Sequence, residues 1–125
     1  MERHPMIVAG FGFADRATTS SLVEALAALS RRPDQLATLR AKADTALFRD
    51  FATAQELPVI PLDEAQISSI ETPTHSPRIA ARFHTGSVAE AAALVAAGLG
   101  ARLIQTRYVT TDGLATVALA ETTER

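Results

Sequence analysis

An alanine-rich segment, residues 85–98, constrains the fold more than any other part of the chain. Ser87 followed three residues later by Glu90 forms the pattern of a capping box, which predicts that a helix begins there. Alanine is the strongest helix former, and Gly98 suits the left-handed residue on which helices often end. Apolar residues at helical spacing share one face: Val88, Ala91, Ala92 and Val95. Because these side chains are small, we expect the helix to pack closely against a sheet.

The remainder of the chain alternates between strand-like and helix-like segments. The predicted strands are residues 6–10, 35–41, 57–62, 101–109 and 114–120. The predicted helices are residues 21–30, 44–56, 63–70, a short piece within 77–83, and the alanine-rich segment. This alternation predicts one α/β domain of three layers, with a mainly parallel sheet of about five strands and helices on both faces. The last two strands are expected to form an antiparallel hairpin.

Several local signals define where these elements begin and end. Ser21 with Glu24 forms a second capping box, although residues 18–20 compete with Ser21 for the cap. Asp44 is the expected cap of the next helix. Pro58 and Pro61 lie near the two ends of the third strand, which predicts that it lies at a sheet edge or pairs only partly. An Asp-Gly pair at 112–113 is typical of a hairpin turn.

Composition excludes several classes of protein. With 125 residues the chain is expected to form one domain spanning 1–125, with an ordered core at about 6–120 and a frayed tail at 121–125. Net charge is -2, basic residues are scattered and aromatics make up 5%, so we expect no nucleic-acid partner. Cysteine is absent, no apolar stretch approaches the roughly 20 residues of a membrane span, and residues 1–5 lack the apolar run of a signal peptide. A cytoplasmic location without membrane association is therefore expected.

The expected fold predicts where a ligand would bind. In open α/β sheets, ligands occupy the crevice beyond the carboxyl ends of the strands. Three segments should meet there: the glycine-containing loop at 10–19, residues 42–45, and residues 85–87 with Thr85, Gly86 and Ser87. Each combines small or hydroxyl residues with a helix N-terminus, where free N–H groups favour an anion. Arg16 and Lys42 add positive charge, so we predict an anion-binding crevice.

Other chemistries fit the sequence poorly. The Gly-x-Gly at 10–12 lacks the third glycine of a dinucleotide fingerprint, and Asp15 would face the pyrophosphate. His4, His75 and His84 follow no metal-binding spacing, so neither a metal nor a cofactor is expected. Asp15 and Arg16 are either a loop ion pair or ligand contacts. The proline-rich loop at 71–77 is either a mobile lid or a surface connection.

Four motifs together resemble a known family. They are Gly-x-Gly at 10–12, Lys-Ala-Asp at 42–44, Gly-Ser-Val-Ala-Glu-Ala-Ala-Ala-Leu at 86–94 with Gly-Leu-Gly-Ala-Arg-Leu at 98–103, and Ala-Thr-Val-Ala-Leu-Ala at 115–120. Over about residues 7–120 the chain resembles the C-terminal domain of the cobalamin-biosynthesis protein CbiG and the standalone CobE proteins built from it. The cysteine, one arginine and the last glycine of the family's glycine loop are missing here, and Thr45 replaces a family glutamate. Arg107 keeps the positive charge of a family lysine.

The resemblance implies a role in making the corrin ring. The expected function is to bind and carry a corrin-ring intermediate of the oxygen-dependent route, with other cobalamin-biosynthesis enzymes as further partners. Arg16, Lys42 and Arg107 would hold ring carboxylates, while Phe11, Phe13 and Phe83 would pack on the ring. The full set of expected ligand-binding residues is Gly10, Phe11, Gly12, Phe13, Arg16, Lys42, Asp44, Thr85, Gly86, Ser87 and Arg107.

Two alternatives from other functional classes stay open. The first is an enzyme acting on a precorrin intermediate, such as the cobalt-precorrin lactone hydrolase activity of full-length CbiG proteins. His84 would be its general base, with Thr85 or Ser87 positioning a water. The second is a non-catalytic interaction module that presents the edge of the hairpin to another enzyme of the pathway.

Overall fold

The computed structural model describes residues 6–122, so the predictions for residues 1–5 and 123–125 lie outside the described residues. Within that range five strands form one sheet in the order β3-β2-β1-β5-β4. The strands are β1 (Ile7–Phe13), β2 (Gln35–Leu39), β3 (Val59–Leu62), β4 (Arg102–Val109) and β5 (Ala115–Glu121). Strand β3 lies at an edge, as its prolines predict.

The sheet is mixed rather than mainly parallel. The β1–β2 and β2–β3 pairs are parallel, whereas β5 is antiparallel to both β1 and β4. The expectation of a mainly parallel sheet is therefore wrong in this respect, because the C-terminal hairpin places β5 directly beside β1. The predicted antiparallel pairing of the last two strands is confirmed.

Helices cover both faces of the sheet, which confirms the three-layer α/β arrangement. They are α1 (Thr19–Ala27), α2 (Arg40–Ala43), α3 (Ala46–Gln55), α4 (Glu64–Ile67), α5 (Pro77–Phe83) and α6 (Val88–Ala97). On one face Phe11 of β1 packs edge-on against Phe48 and Phe51 of α3, and α1 completes this core. On the other face α6 packs against β1, β2 and β5. No helix in the described range is long and apolar enough to cross a membrane.

Strand β1 continues through the segment predicted to be a glycine loop. It pairs with β5 from Ile7 opposite Glu121 to Phe13 opposite Ala115. Within the strand, position 10 requires glycine, because a Cβ atom there would collide with the backbone of Ala89 and Ala93 in α6. The prediction of a loop at Gly10 is therefore wrong: Gly10 lies within β1, where it lets α6 approach the sheet.

Two of the predicted helix caps are replaced by neighbouring residues. Thr18, not Ser21, caps α1, and its Oγ1 accepts a hydrogen bond from the Ser21 N–H. Thr45, not Asp44, caps α3, because the single turn of α2 already occupies residues 40–43. The structure confirms Ser87 as the cap of α6, where its Oγ accepts from the Glu90 N–H at 3.2 Å.

The hairpin turn is fixed to α1 by side-chain hydrogen bonds. Ser21 Oγ donates to Asp112 at 2.6 Å, and the Tyr108 hydroxyl donates to Glu24 at 2.7 Å. These bonds lower the pKa of Asp112 and that of Glu24. At the other end of β5, the predicted frayed tail is wrong for Glu121, which is buried and accepts from Arg31 and Arg102.

Candidate functional site

A cavity of about 310 Å³ opens at the carboxyl ends of β1 and β2. The hairpin turn, the N-terminus of α6 and helix α5 complete its walls. This is the position at which open α/β sheets bind ligands. Six of the residues expected to contact the ligand line this cavity: Gly12, Phe13, Lys42, Phe83, Ser87 and Arg107.

Three cationic side chains line the cavity. Lys42 comes from α2, Arg78 from α5 and Arg107 from β4, and none of the lining residues is acidic. Neither Arg78 nor Arg107 forms an ion pair with any residue in the described range 6–122. A concave surface of one charge sign, with apolar walls, raises the local concentration of oppositely charged ligands. The cavity is therefore suited to an anion.

Lys42 is held over an aromatic platform. Its Nζ lies 5.0 Å from the centroid of the Phe13 ring, within the range of a cation–π interaction. Phe13 in turn stacks on Phe48, with ring centroids 5.5 Å apart. Lys42 also donates a 2.8 Å hydrogen bond to Asp15, and this bond, with the charge of the ammonium, lowers the pKa of the Asp15 carboxyl.

The rest of the cavity wall is largely apolar. Half-buried side chains on both sides, Phe13 of β1 and Phe83 of α5, face it together with Leu39, Ile79 and Val88. The Arg82 guanidinium lies over the Phe83 ring, 4.4 Å from its centroid. This combination of apolar wall and cationic rim fits a ligand with a broad apolar face and carboxylates at its edge.

A buried carboxylate supports the cavity from behind. Glu90 is fully buried, and it accepts hydrogen bonds from the Thr74 N–H at 2.9 Å, the Thr74 hydroxyl at 2.7 Å and the Arg107 N–H at 2.7 Å. The predicted return bond from Glu90 to Ser87 is therefore replaced by contacts to two other elements. The Ser76 N–H also bonds to the Gly86 carbonyl at 2.9 Å. These bonds favour a fixed connection over a mobile lid for residues 71–77.

Several expected site residues do not reach the cavity. Phe11 is fully buried in the core, so the expected packing of Phe11 on a ligand ring is wrong. Arg16 and Asp44 are exposed and lie outside the cavity lining, because the turn after β1 and the end of α2 both point into solvent. Gly10 serves the contact between β1 and α6.

Thr85, Gly86 and His84 belong to a separate, more open cavity, which His75 also lines. Thr85 is buried and donates its hydroxyl to the Ile70 carbonyl at 2.6 Å, and Gly86 leaves room for the backbone of the 71–77 loop. His84 ends α5 with a positive φ of 61° and is exposed. Of the two hydroxyl residues expected to position a water beside His84, Ser87 lines the other cavity, whereas Thr85 lines the same cavity as His84. No group of three metal-ligating side chains occurs in the described part of the chain.

Sequence reasoning missed Arg78, which supplies one of the three cations. Arg78 follows the Ser76-Pro77 start of α5, so its presence on a short helix was predictable. Its position across the cavity from Lys42 depends on how α5 packs over the end of the sheet, which no local pattern encodes. Thr38 and Thr116 were also missed, and their hydroxyls donate to the carbonyls of Phe11 and Gly12.

Comparison with known proteins decides the family. The family model described as "Cobalamin synthesis G C-terminus" matches residues 7–120. The chain belongs to the CbiG C-terminal domain family. The resemblance found in the sequence is thereby confirmed, and the chain is a protein of the cobalamin biosynthesis pathway. A search of curated proteins found no significant match.

Two solved structures at about 30% identity agree with this assignment. The chain is similar to CobE, a protein from the cobalamin (vitamin B12) biosynthetic pathway, with 29% identity, a TM-score of 0.81 and coverage of 100% of this chain and 96% of that one. It is similar to the cobalamin biosynthesis protein chiG from Agrobacterium tumefaciens, with 30% identity, a TM-score of 0.73 and coverage of 95% and 100%. A homologue of cobalamin biosynthesis protein G from Sulfolobus solfataricus shares the fold at 20% identity and a TM-score of 0.66. The match covers 98% of this chain and 38% of that one.

Proposed function

We propose that this protein binds a corrin-ring intermediate of cobalamin biosynthesis in the cavity at the end of the sheet and carries it between enzymes of the oxygen-dependent route. The observation that carries the proposal is the convergence of Lys42, Arg78 and Arg107, from three separate elements, on one apolar cavity without acidic lining residues. Membership in a cobalamin-biosynthesis family supplies the ligand class. Its partners would be the intermediate and the enzymes that make and use it, in the cytoplasm.

The chemistry of the ligand matches the two kinds of surface in the cavity. A corrin precursor has a broad apolar macrocycle with acetate and propionate carboxylates around its edge. The three cations would pair with those carboxylates through charge-assisted hydrogen bonds, and arginine can form two such bonds in parallel. Phe13 and Phe83 would contact the face of the ring. Each hydrogen bond to a charged group contributes about 1.5–3 kcal/mol when well shielded, and less at an open rim.

The size of the cavity favours a carrier over a closed active site. Ligand pockets span roughly 300–1,000 Å³, and this cavity of about 310 Å³ lies at the lower limit. We expect it to hold one edge of the macrocycle and leave the remainder accessible. An exposed ring could then be transferred to a second protein without full dissociation into water.

A visible-absorbance titration with hydrogenobyrinic acid, a metal-free corrin, tests the proposal. We expect a saturable spectral change at one corrin per chain, co-elution of pigment and protein on gel filtration, and recovery of unchanged pigment. A flat titration without co-elution would contradict binding of this ligand. Recovery of an altered pigment would instead indicate catalysis.

A further inference from the structure

One carboxylate touches the cationic lining of the cavity from outside. Asp15 lies in the turn after β1, its side chain is 100% exposed, and it accepts a 2.8 Å hydrogen bond from Lys42 Nζ. Among the residues from 6 to 122, it is the only carboxylate that pairs with a cation of the cavity. The Lys42 side chain is only 25% exposed and lines the cavity, so the same ammonium faces both the cavity and Asp15.

We propose that Asp15 is a built-in competitor that occupies Lys42 until a ligand carboxylate displaces it, and thereby lowers affinity for the ligand. The inference rests on the proposed function. A ligand carboxylate approaching Lys42 would exchange one ion pair for another of the same chemistry. Because the Asp15 side chain is exposed, it can move into water on displacement without leaving a buried charge unpaired.

The position of the Lys42 ammonium does not depend on Asp15 alone. The ammonium lies over the Phe13 ring, and that ring is fixed by stacking on Phe48. The turn that carries Asp15 is held by backbone hydrogen bonds, from the Ala14 N–H to Leu114 and from the Ala17 N–H to Ala14. Removing the Asp15 carboxylate should therefore leave both the turn and the ammonium in place. A displaceable counter-ion of this kind would keep binding weak enough for ligand release.

The exchange makes two measurable predictions for Asp15→Asn. The variant should bind hydrogenobyrinic acid about two- to fivefold more tightly, the range expected when a competing surface ion pair is removed. Its affinity should also fall more steeply with added salt. In the wild-type protein the ligand replaces an existing ion pair at Lys42, whereas in the variant it forms a new, screened one.

Asp63→Asn is a matched control. Asp63 pairs with Arg40 at 2.9 Å on the surface, and neither residue lines the cavity. The two variants change the net charge by the same amount, and asparagine retains the helix-capping ability of Asp63. Any effect of global charge on binding of an anion would appear in both variants, whereas competition at Lys42 would appear only in Asp15→Asn.

The experiment measures hydrogenobyrinic acid affinity of the wild type, Asp15→Asn, Asp63→Asn, Lys42→Ala and the Asp15→Asn/Lys42→Ala double variant. We expect tighter binding only for Asp15→Asn, and the double variant should match Lys42→Ala because the competitor acts through Lys42. If the wild type binds and Asp15→Asn binds equally well or more weakly, the role of Asp15 is contradicted while the proposed function stands. Absence of binding by the wild type would overturn the proposed function as well. Tighter binding cannot result from partial unfolding, so a folding defect does not mimic the expected result.

Discussion

The backbone N–H of Arg107 donates a 2.7 Å hydrogen bond to the carboxylate of Glu90, which is fully buried in α6. The same carboxylate accepts two hydrogen bonds from Thr74, just before the helix that carries Arg78. One buried side chain therefore fixes both the strand that presents Arg107 and the loop that leads to Arg78. The arrangement of the cationic rim depends on a residue that no ligand would touch.

Removal of the Glu90 carboxylate should destabilise the protein strongly. Glu90→Ala leaves the donors of Thr74 and Arg107 without acceptors, and we expect a loss of about 3 kcal/mol in the free energy of unfolding by urea. Glu90→Gln should lose less, because the amide oxygen still accepts. Glu64→Gln is the control, since Glu64 forms an exposed ion pair with Arg82 whose loss should cost about 0.5 kcal/mol or less. Equal stability of Glu90→Ala and Glu64→Gln would contradict this assignment.

Loss of a cavity cation should weaken corrin binding without unfolding the protein. We expect Lys42→Ala and Arg107→Ala each to reduce affinity for hydrogenobyrinic acid about five- to tenfold, or about 1–1.4 kcal/mol, with little change in Tm. Arg49→Ala removes an exposed arginine of α3 outside the cavity and serves as the control.

Arg16→Ala tests whether Arg16 contacts the ligand, as the sequence predicts, or lies outside the site, as the structure indicates. The sequence places Arg16 among the ligand contacts, whereas in the structure it is exposed and outside the cavity lining. We expect the affinity of Arg16→Ala for hydrogenobyrinic acid to match that of Arg49→Ala. A loss as large as that of Lys42→Ala would show that the turn after β1 contributes directly to binding.

Gly10→Ala should disrupt the contact between β1 and α6. The added Cβ would overlap the backbone of Ala89 and Ala93, and neither helix nor strand can yield as a flexible side chain would. We expect a loss of about 3 kcal/mol, at the upper end of overpacking effects, in urea unfolding. Gly12→Ala is the comparison, because its Cβ would meet side-chain atoms and no backbone: Thr116 Oγ1 at 3.0 Å, and Val88 Cβ and Cγ1 at 3.6 and 3.7 Å. Similar losses of unfolding free energy in both variants would show that the close backbone contact of position 10 is not the cause.

The protein should become less stable at acid pH, because protonation of Glu24 and Asp112 weakens the hydrogen bonds that hold the hairpin turn. The Tyr108 hydroxyl and the Thr111 N–H lower the pKa of Glu24, and Ser21 does the same for Asp112. A lowered folded-state pKa adds stability above the unfolded value, about 4, and this is lost as pH falls through the folded-state pKa. Tm measured from pH 6 to pH 3 should therefore decline less steeply in Glu24→Gln than in the wild type. Tyr108→Phe, which removes the main donor, should change the profile in the same direction, and parallel profiles would contradict this account.

Much of the fold was predictable because its signals are local. The Ser87 cap, the Asp-Gly turn and the prolines of β3 each act within a few residues, and the structure confirms all three. Their order along the chain predicts helices on both faces and a crevice at the strand ends. The insertion of β5 beside β1 could not be predicted in the same way, because it depends on pairing between the two ends of the chain.

The site was predictable only where local patterns agree with packing. Because Gly10 was expected in a loop, the alternation of side chains along β1 was not used to predict the site. This alternation places Phe11 and Phe13 on the α3 face of the sheet. Gly10 and Gly12 lie on the α6 face. Phe11 is then covered by α3, whereas Phe13 lies at the strand end and reaches the cavity. Arg78 lines the site because α5 packs over the end of the sheet. No local pattern in residues 77–83 predicts this packing.

The most direct test of the account is the location of bound corrin on the protein. Amide chemical shifts of ¹⁵N-labelled protein, recorded by NMR during titration with hydrogenobyrinic acid, report which residues change their surroundings. We expect the largest changes at Phe13, Lys42 and Arg107, around the cavity at the end of the sheet. Changes centred instead on His75 and His84, or none at a corrin concentration that saturates the absorbance change, would contradict binding in this cavity.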